Sequence, residues 1–543
     1  MKRLLYTGFI GLLLLFSDVT TATGLLPEVP SEIDNSKLST LSRVNVNKFV
    51  FKGNTVFSDE DLSALVIDYE NREITAEELQ DVRRKISKFY LSNGYVNSGA
   101  VFPDQQVKEG IIVLQIIEGK ISRIEIAGNS WLRSNYIIKR LTPGSTDAIL
   151  NINDLQNRLK ILKQNPLIKQ VSATLSPDVG LGTGILKVEV KEEKPYHFNL
   201  AFNNHRSTSL GENRAEIEAG HHNVTGWGDK LDIRYGITKG LKDYAVSYAI
   251  PITRWDTTLK LAHEATDASV ISEPLNRLAI ESESTTSSIA LRHPFYKTTS
   301  RDFSMDLRFE KRHSETFLLG RPFSFARGVQ NGESNVSVLG FSQDYVDRGL
   351  NHVLAVHSCF SFGLNMWNAT IDEDAPDGKF SSWLGQFRWL RKVGPLDSQV
   401  LFRTDIQLSN DPLLPLEKFA IGGASTVRGY MENQLIRDNG LITSVEWRVP
   451  IAKISIPWLG GKKEDGVIQL APFIDYGWGW DTEIHTPYPR DIGSIGLGIR
   501  WNINKKSFAE IYWGNALRKI NDVDDKKDLQ DDGIHFNIVI TPF

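Results

Sequence analysis

Cysteine is nearly missing from this 543-residue chain, which has one, Cys359. That excludes an intramolecular disulfide framework and any zinc site built from cysteines. Positive charge is not in excess either: 62 lysines and arginines stand against 66 aspartates and glutamates, a net charge of −4. The basic footprint of a nucleic-acid partner is lacking, and no such partner is expected. Long apolar runs are also missing. The run near the N-terminus, Leu4 to Phe16, falls short of the ~20 residues a bilayer-spanning helix needs. Neither a Walker loop nor a nucleotide-binding glycine fingerprint occurs, so no nucleotide cofactor is expected. At 41% hydrophobic and 24% charged residues, composition alone describes a large soluble protein.

What is present changes that reading. Lys2 and Arg3, the apolar run and then the small residues Thr20, Ala22 and Gly24 have the order of a secretory signal peptide, assigned to residues 1–23. An exported, cysteine-poor chain suits the bacterial periplasm or outer membrane. Residues 24–43, with Pro27 and Pro30, read as a linker. Residues 44–119 then give strand, helix, helix, strand, strand. Phe49 and Phe51 lead into a Gly53-Asn54 turn, Ser58 and Asp61 open a helix, and Leu79, Val82, Ile86 and Tyr90 mark the apolar face of a second. The pattern returns about 75 residues later in 120–194. Gly128-Asn129 matches Gly53-Asn54, Leu155-Gln156 matches Leu79-Gln80, and the strand Leu186–Lys191 is aligned with Val113–Glu118.

From 195 to 543 helical periodicity gives way to strict two-residue alternation. Val400, Phe402, Thr404, Ile406 and Leu408 alternate with Leu401, Arg403, Asp405 and Gln407. Ile495, Leu497, Ile499 and Trp501 alternate with Ser494, Gly496, Gly498 and Arg500. Each such strand has one apolar and one polar face. About sixteen segments of this kind, joined by alternately short and long connections, are the pattern of a transmembrane β-barrel. The fold expected is an all-β transmembrane barrel of about 16 antiparallel strands, preceded by two α+β modules. With those modules in the periplasm the first strand runs outward, and the long connections 313–333, 409–439 and 517–532 lie outside. Arg403, Asp405, Glu446, Arg448, Asp475, Arg500 and Glu510 are assigned to the lumen.

The longest connection, 409–439, contains Val427-Arg428-Gly429-Tyr430. A connection of this length with no element of its own is functional or disordered, and Gly422, Gly423 and Gly429 let it fold back sharply. In the strand after the next one, Phe473, Asp475 and Gly477 share the face that also carries Gln469 and Ala471. A lone loop arginine could pair with the lumenal Asp475; without context, an exposed arginine and an unrelated aspartate would be the better reading.

With these motifs in these places, the chain resembles the TpsB outer-membrane transporters of two-partner secretion. These are the haemolysin activator/secretion family of the ShlB/FhaC/HecB type, related to the barrel-assembly protein BamA. The resemblance implies two POTRA domains, a sixteen-stranded barrel, and a sixth outer loop whose VRGY tip is fixed in the pore. The fixing pair it implies is Arg428 with Asp475, from a Phe473-Ile-Asp475-Tyr-Gly477 motif. It further implies export of an unfolded exoprotein (TpsA-like) captured by the POTRA domains, without ATP. The other surroundings implied are outer-membrane lipid and lipopolysaccharide, and the barrel-assembly machinery during biogenesis. The alternative it leaves is an assembly and insertion factor of the BamA type, though such relatives generally carry three or more POTRA units. A full N-terminal plug helix, found in some members, is expected to be absent or much shortened here.

Other chemical signals are poor. His263-Glu264 begins like a zinc-protease motif but has Asp267 where the second histidine must be. His221-His222 reads as a surface pair, and Asp522, Asp524, Asp525, Asp528, Asp531 and Asp532 as a solvated acidic loop. No catalytic residues, cofactor or metal are expected.

Overall fold

The computed structural model describes residues 43–103, 105–142, 148–394, 397–457, 461–483, 485–520 and 528–542. The signal peptide and linker readings, and Asp522, Asp524 and Asp525, fall outside these. The described residues form two compact units, one ending at Glu193 and one beginning at Lys194.

The first unit holds two modules. In the first, strands β1 (Arg43–Val46), β2 (Lys48–Lys52), β3 (Arg72–Thr75), β4 (Gly99–Val101) and β5 (Ile111–Ile117) accompany helices α1 (Asp59–Val66) and α2 (Ala76–Ser92). β2 lies parallel to β5, and β4 pairs with the other side of β5. Both helices start on capping boxes, Ser58 with Asp61 and Thr75 with Glu78, which satisfy amide groups a helix start leaves free. Leu62, Val66, Leu79, Val82, Ile86 and Tyr90 pack on Phe49, Phe51, Ile112, Leu114 and Ile116. The small β1–β3 pair was not expected from the sequence.

The second module repeats the plan with β6 (Lys120–Ala127), α3 (Ser134–Leu141), α4 (Ile152–Lys163), β7 (Ile168–Pro177) and β8 (Thr183–Glu192), β6 lying parallel to β8. One alignment needs correction. The buried residues of β5 are Ile112, Leu114 and Ile116, and those that correspond in β8 are Leu186, Val188 and Val190. Val113 therefore does not match Leu186; the repeat of the last strand is shifted by one residue, and such a slip exchanges the two faces. The corrected register aligns Glu118 with Glu192. Glu118 accepts from the amides of Thr55 and Val56 at 2.8 Å each. Glu192 accepts from the amides of Ser130, Trp131 and Leu132 at 2.8, 2.6 and 2.8 Å. In both modules a carboxylate at the end of the last strand grips the turn that follows β2 or β6.

The second unit is a closed barrel. Its sixteen long strands are β9 (Tyr196–Asn203), β10 (Arg214–His221), β11 (Lys230–Ile237), β12 (Leu241–Pro251), β13 (Thr258–Ser269), β14 (Glu281–Lys297), β15 (Arg301–Leu318), β16 (Glu333–Arg348), β17 (His352–Leu364), β18 (Ser381–Val393), β19 (Ser398–Ser409), β20 (Asn439–Lys453), β21 (Val467–Trp480), β22 (Asp491–Asn502), β23 (Phe508–Ala516) and β24 (Ile534–Ile540). Each pairs antiparallel with the next. β24 returns to β9 through a seam of four residue pairs, Asn537↔Asn203 to Ile540↔Leu200. The Asn204 side chain extends that seam, donating to the Ile534 carbonyl at 2.8 Å and accepting from the Phe536 amide at 2.8 Å. Ile474, Tyr476 and Trp478 of β21 are exposed outward while Ala471, Phe473 and Asp475 are buried. This is the two-face alternation of a strand with lipid outside and a filled lumen inside.

Two expectations about connections are corrected. β15 continues to Leu318 rather than ending near 312. Its polar end residues keep their cross-strand hydrogen bonds even though the apolar alternation has stopped. The long loop also has elements of its own: Phe419–Ile421 pairs with Leu435–Arg437 as a two-stranded ladder.

Candidate functional site: a loop held inside the barrel

The ladder projects the tip 422–434 into the lumen, and glycines on both partners make the passage possible. Gly422, Gly423 and Gly429 have φ of +111°, +101° and +88°, a region that residues with a Cβ avoid. The facing strands contribute glycines where the loop lies closest. A Cβ on Gly477 would stand 2.3 Å from Ile421 Cγ2, one on Gly440 2.4 Å from Phe419 Cδ1, and one on Gly514 2.8 Å from the Gly429 amide nitrogen. Phe419, Ile421, Val427, Tyr430 and Leu435 fill the slot and pack against Ile442 and Ile492 of the barrel wall.

At the tip, Arg428 is 4% exposed and Asp475 1%. The guanidinium binds Asp475 in a fork, Nε to Oδ2 at 2.8 Å and Nη2 to Oδ1 at 2.9 Å, and the Arg428 amide donates to Oδ2 at 3.0 Å. Bidentate, charge-assisted bonds of this kind are the strong ones, and their geometry is specific to arginine. Nη1 also binds Glu446, and Nη2 donates to Ser444 Oγ at 3.2 Å. The cation lies over the Phe473 ring, 3.6 Å from its centroid, with the Tyr512 ring at 4.6 Å. Phe473 thus supplies a π-face, Asp475 the counter-charge and Gly477 the room. Val427 is buried in the slot. Tyr430 donates its hydroxyl to the Gly493 carbonyl at 2.9 Å, and Gly429 makes the close approach to Gly514.

Several participants were not singled out by the sequence. Glu446, assigned only to the lumen, is shared with Arg448 Nε at 2.6 Å and the Tyr512 hydroxyl at 3.2 Å. Arg500 reaches that hydroxyl at 2.8 Å and pairs with Glu510. Arg403 donates to the carbonyls of Ser425 and Thr426 at 2.8 Å each, a contact with the loop backbone that carries no sequence signature. At the loop base Arg312 pairs with Glu417, and Lys418 Nζ lies 2.8 Å from Asp438. Of the lumenal residues named above, Asp405 belongs to a separate pair, accepting from Arg388 Nη2 at 2.9 Å. The loop tip also reaches the seam: the Gly429 amide donates to His535 Nε2 of β24 at 3.3 Å, and the Glu432 amide to Gln530 Oε1 at 2.9 Å.

The model for the haemolysin secretion/activation protein ShlB/FhaC/HecB matches residues 182–501, more than half of the chain. The chain belongs to this family. A ShlB-type POTRA domain model matches residues 44–119. Among curated relatives, the outer membrane transporter CdiB of Dickeya dadantii (strain 3937) is 19% identical over 418 residues, covering 74% of this chain and 72% of that one. The heme/hemopexin transporter protein HuxB of Haemophilus influenzae (strain 86-028NP) is 22% identical over 435 residues, 78% of this chain and 73% of that one. Of solved structures, CdiB from Escherichia coli superposes with a TM-score of 0.67 at 18% identity, covering 95% of this chain and 93% of that one. This ShlB/FhaC/HecB protein is accordingly an outer-membrane barrel of a transporter family, with its POTRA modules in the periplasm.

Proposed function

We propose that the protein is the outer-membrane pore of a two-partner secretion pair, exporting an unfolded, β-rich exoprotein. Residues 44–119 and 120–194 are the two POTRA domains that receive it, and 195–543 the barrel it crosses. One observation carries the reading: the sixth outer loop is held in the lumen by a buried Arg428–Asp475 fork. A passive porin has no use for such a lock at the centre of its channel, whereas a gated conduit does. Capture adds a strand to a POTRA sheet edge, where main-chain hydrogen bonds provide affinity and alternate side chains provide selectivity. β4 and β7 end their sheets among the described residues and offer such edges. Without a nucleotide site, net movement outward is driven by folding of the cargo on the far side. Contact with outer-membrane lipid and lipopolysaccharide, and with the barrel-assembly machinery during biogenesis, belongs to the same reading. The test is export of the co-encoded exoprotein by Arg428→Ala, with barrel assembly followed by heat-dependent gel mobility. Lost export from an assembled barrel is expected; export at the unsubstituted level would overturn the role of the loop. Loss of other outer-membrane barrels on deletion, with export intact, would favour an assembly factor instead.

A further inference from the structure

A second cluster of ionisable side chains lies far from the loop, where the chain enters the barrel. His197 is the second residue of β9, Asp232 the third of β11, and Gly220 of β10 stands directly opposite both, paired with His197 on one side and Asp232 on the other. The three form one row across three strands on the lumenal face. The middle position has no side chain, and the outer two close over it. A Cβ on Gly220 would stand 2.3 Å from His197 Cε1 and 2.5 Å from Asp232 Oδ1. His222, just past the end of β10, joins them, its ring centroid 4.5 Å from that of His197. Donor atoms of His197, His222 and Asp232 all lie within 4.8 Å of one another.

The distances are informative. His197 Nε2 stands 3.6 Å from Asp232 Oδ1 and 3.7 Å from Glu218 Oε1, and its Nδ1 has no hydrogen-bond partner among the described residues. Separations of 3.6–3.7 Å are too long for hydrogen bonds. Two ligands each about 2.1 Å from one tetrahedral ion are separated by about 3.4 Å. His222 Nε2, 3.2 Å from the same Asp232 oxygen, fits that edge as well. Glu218 is oriented from behind, its other oxygen accepting from Asn199 Nδ2 at 3.2 Å, the kind of support that ligating carboxylates receive.

We propose that His197, His222 and Asp232 bind a divalent transition-metal ion at the periplasmic rim of the barrel, with Glu218 beside the fourth position. Two imidazoles and a carboxylate select zinc-like ions over calcium and magnesium, which take oxygen donors. The ion would tie β9, the strand at the seam, to the β10–β11 turn.

The probe is Co²⁺, added to the untagged, full-length chain in detergent after chelation, with Zn²⁺ as competitor. One Co²⁺ per chain with the intense visible absorption of a tetrahedral site is expected, displaced by Zn²⁺ and unchanged in Cys359→Ser. His197→Ala, His222→Ala and Gly220→Ala should each lose the band while keeping the heat-dependent mobility of a folded barrel. Asp232→Asn, which keeps the side chain's shape and removes its charge, should weaken binding by at least the roughly 10- to 100-fold that loss of an outer-shell partner costs. Absence of a tetrahedral band in the unsubstituted protein overturns the proposal. So does a band that survives both histidine substitutions, or, should those variants not fold, an affinity unmoved by Asp232→Asn.

Discussion

Removing Arg428 should cost more than neutralising Asp475. Arg428→Ala leaves Asp475, 1% exposed, without its fork, while Glu446 keeps Arg448 and the Tyr512 hydroxyl. Asp475 therefore loses most, left with the Ser444 hydroxyl and the more distant Arg403 charge, and breaking a buried pair from one side costs about 3–5 kcal/mol. If the seated loop carries that loss, its equilibrium with the released loop shifts by roughly 100- to 4000-fold. Asp475→Asn is milder, because Arg428 retains Glu446 and a neutral amide can still accept a hydrogen bond. A lost charge-assisted bond of this kind is worth about 1.5–3 kcal/mol. Removing both members, as Arg428→Leu with Asp475→Leu, deletes the stranded charge too and should be less damaging than Arg428→Leu alone. Release can be read in two ways: as conductance of single barrels in a planar bilayer, and as protease cleavage within 410–438 on intact cells. The expected order of open-state population is Arg428→Ala, then Asp475→Asn, then unsubstituted protein, with the double leucine variant below Arg428→Leu. Strict additivity of the two leucine substitutions would refute the reasoning, since residues that share an interaction must couple.

Two further outcomes follow from the packing. Gly514→Val places side-chain atoms where the Gly429 backbone runs and should release the loop with all ion-pair residues intact; conductance equal to that of the unsubstituted barrel would show that the close approach is not needed. In the first POTRA module, burial opposes ionisation of Glu118, but bonds from the Thr55 hydroxyl, the Val56 and Thr55 amides and the Tyr90 hydroxyl outweigh it and hold its pKa below the ordinary value. A depressed carboxylate pKa contributes stability that is present above the unfolded value, about 4.3, and lost as pH falls through the folded one. Hydrogen exchange at Thr55 and Val56 should therefore speed up, relative to unstructured amides, as pH falls below about 4.3. Glu118→Gln should abolish that acid-specific step; an unchanged pH profile in the variant would count against it.

The period of the strands was legible because lipid and lumen impose it residue by residue: the alternation in 398–408 and 492–502 marks β19 and β22 nearly to their ends. Strand ends that rise beyond the apolar band were not, since Glu281 and His313 to Leu318 carry no apolar alternation and are held by ladder bonds, with side-chain hydrogen bonds of His313 and Thr316 beside them. The same limit applies to the site. Arg428 and Asp475 stand out as a lone loop arginine and an inward carboxylate. Glu446 becomes their neighbour only because Ser444 pairs with Asp475 and Glu446 with Phe473 across β20 and β21, an alignment no local pattern contains. Arg403 touches carbonyl groups, which every residue has. The row of His197, Gly220 and Asp232 is likewise a product of register, and an adjacent pair such as His221-His222 points to the wrong partner, because neighbours on a strand face opposite ways.

The parallel pairing inside each periplasmic module has a mechanical side. The first strand of the sheet and the last, β2 with β5 and β6 with β8, lie side by side in the same direction. A pull that separates the two ends of such a module drives these strands lengthwise past each other. All the rungs of the ladder, five pairs in the first module and seven in the second, then bear the load together, rather than opening one after another as in a hairpin peeled from its tip. The Glu118 and Glu192 clasps lie at the far end of the same ladders and share that load. On the proposed export route, a cargo chain tugging on these modules would meet a tether that resists sliding, one that can transmit traction without unravelling.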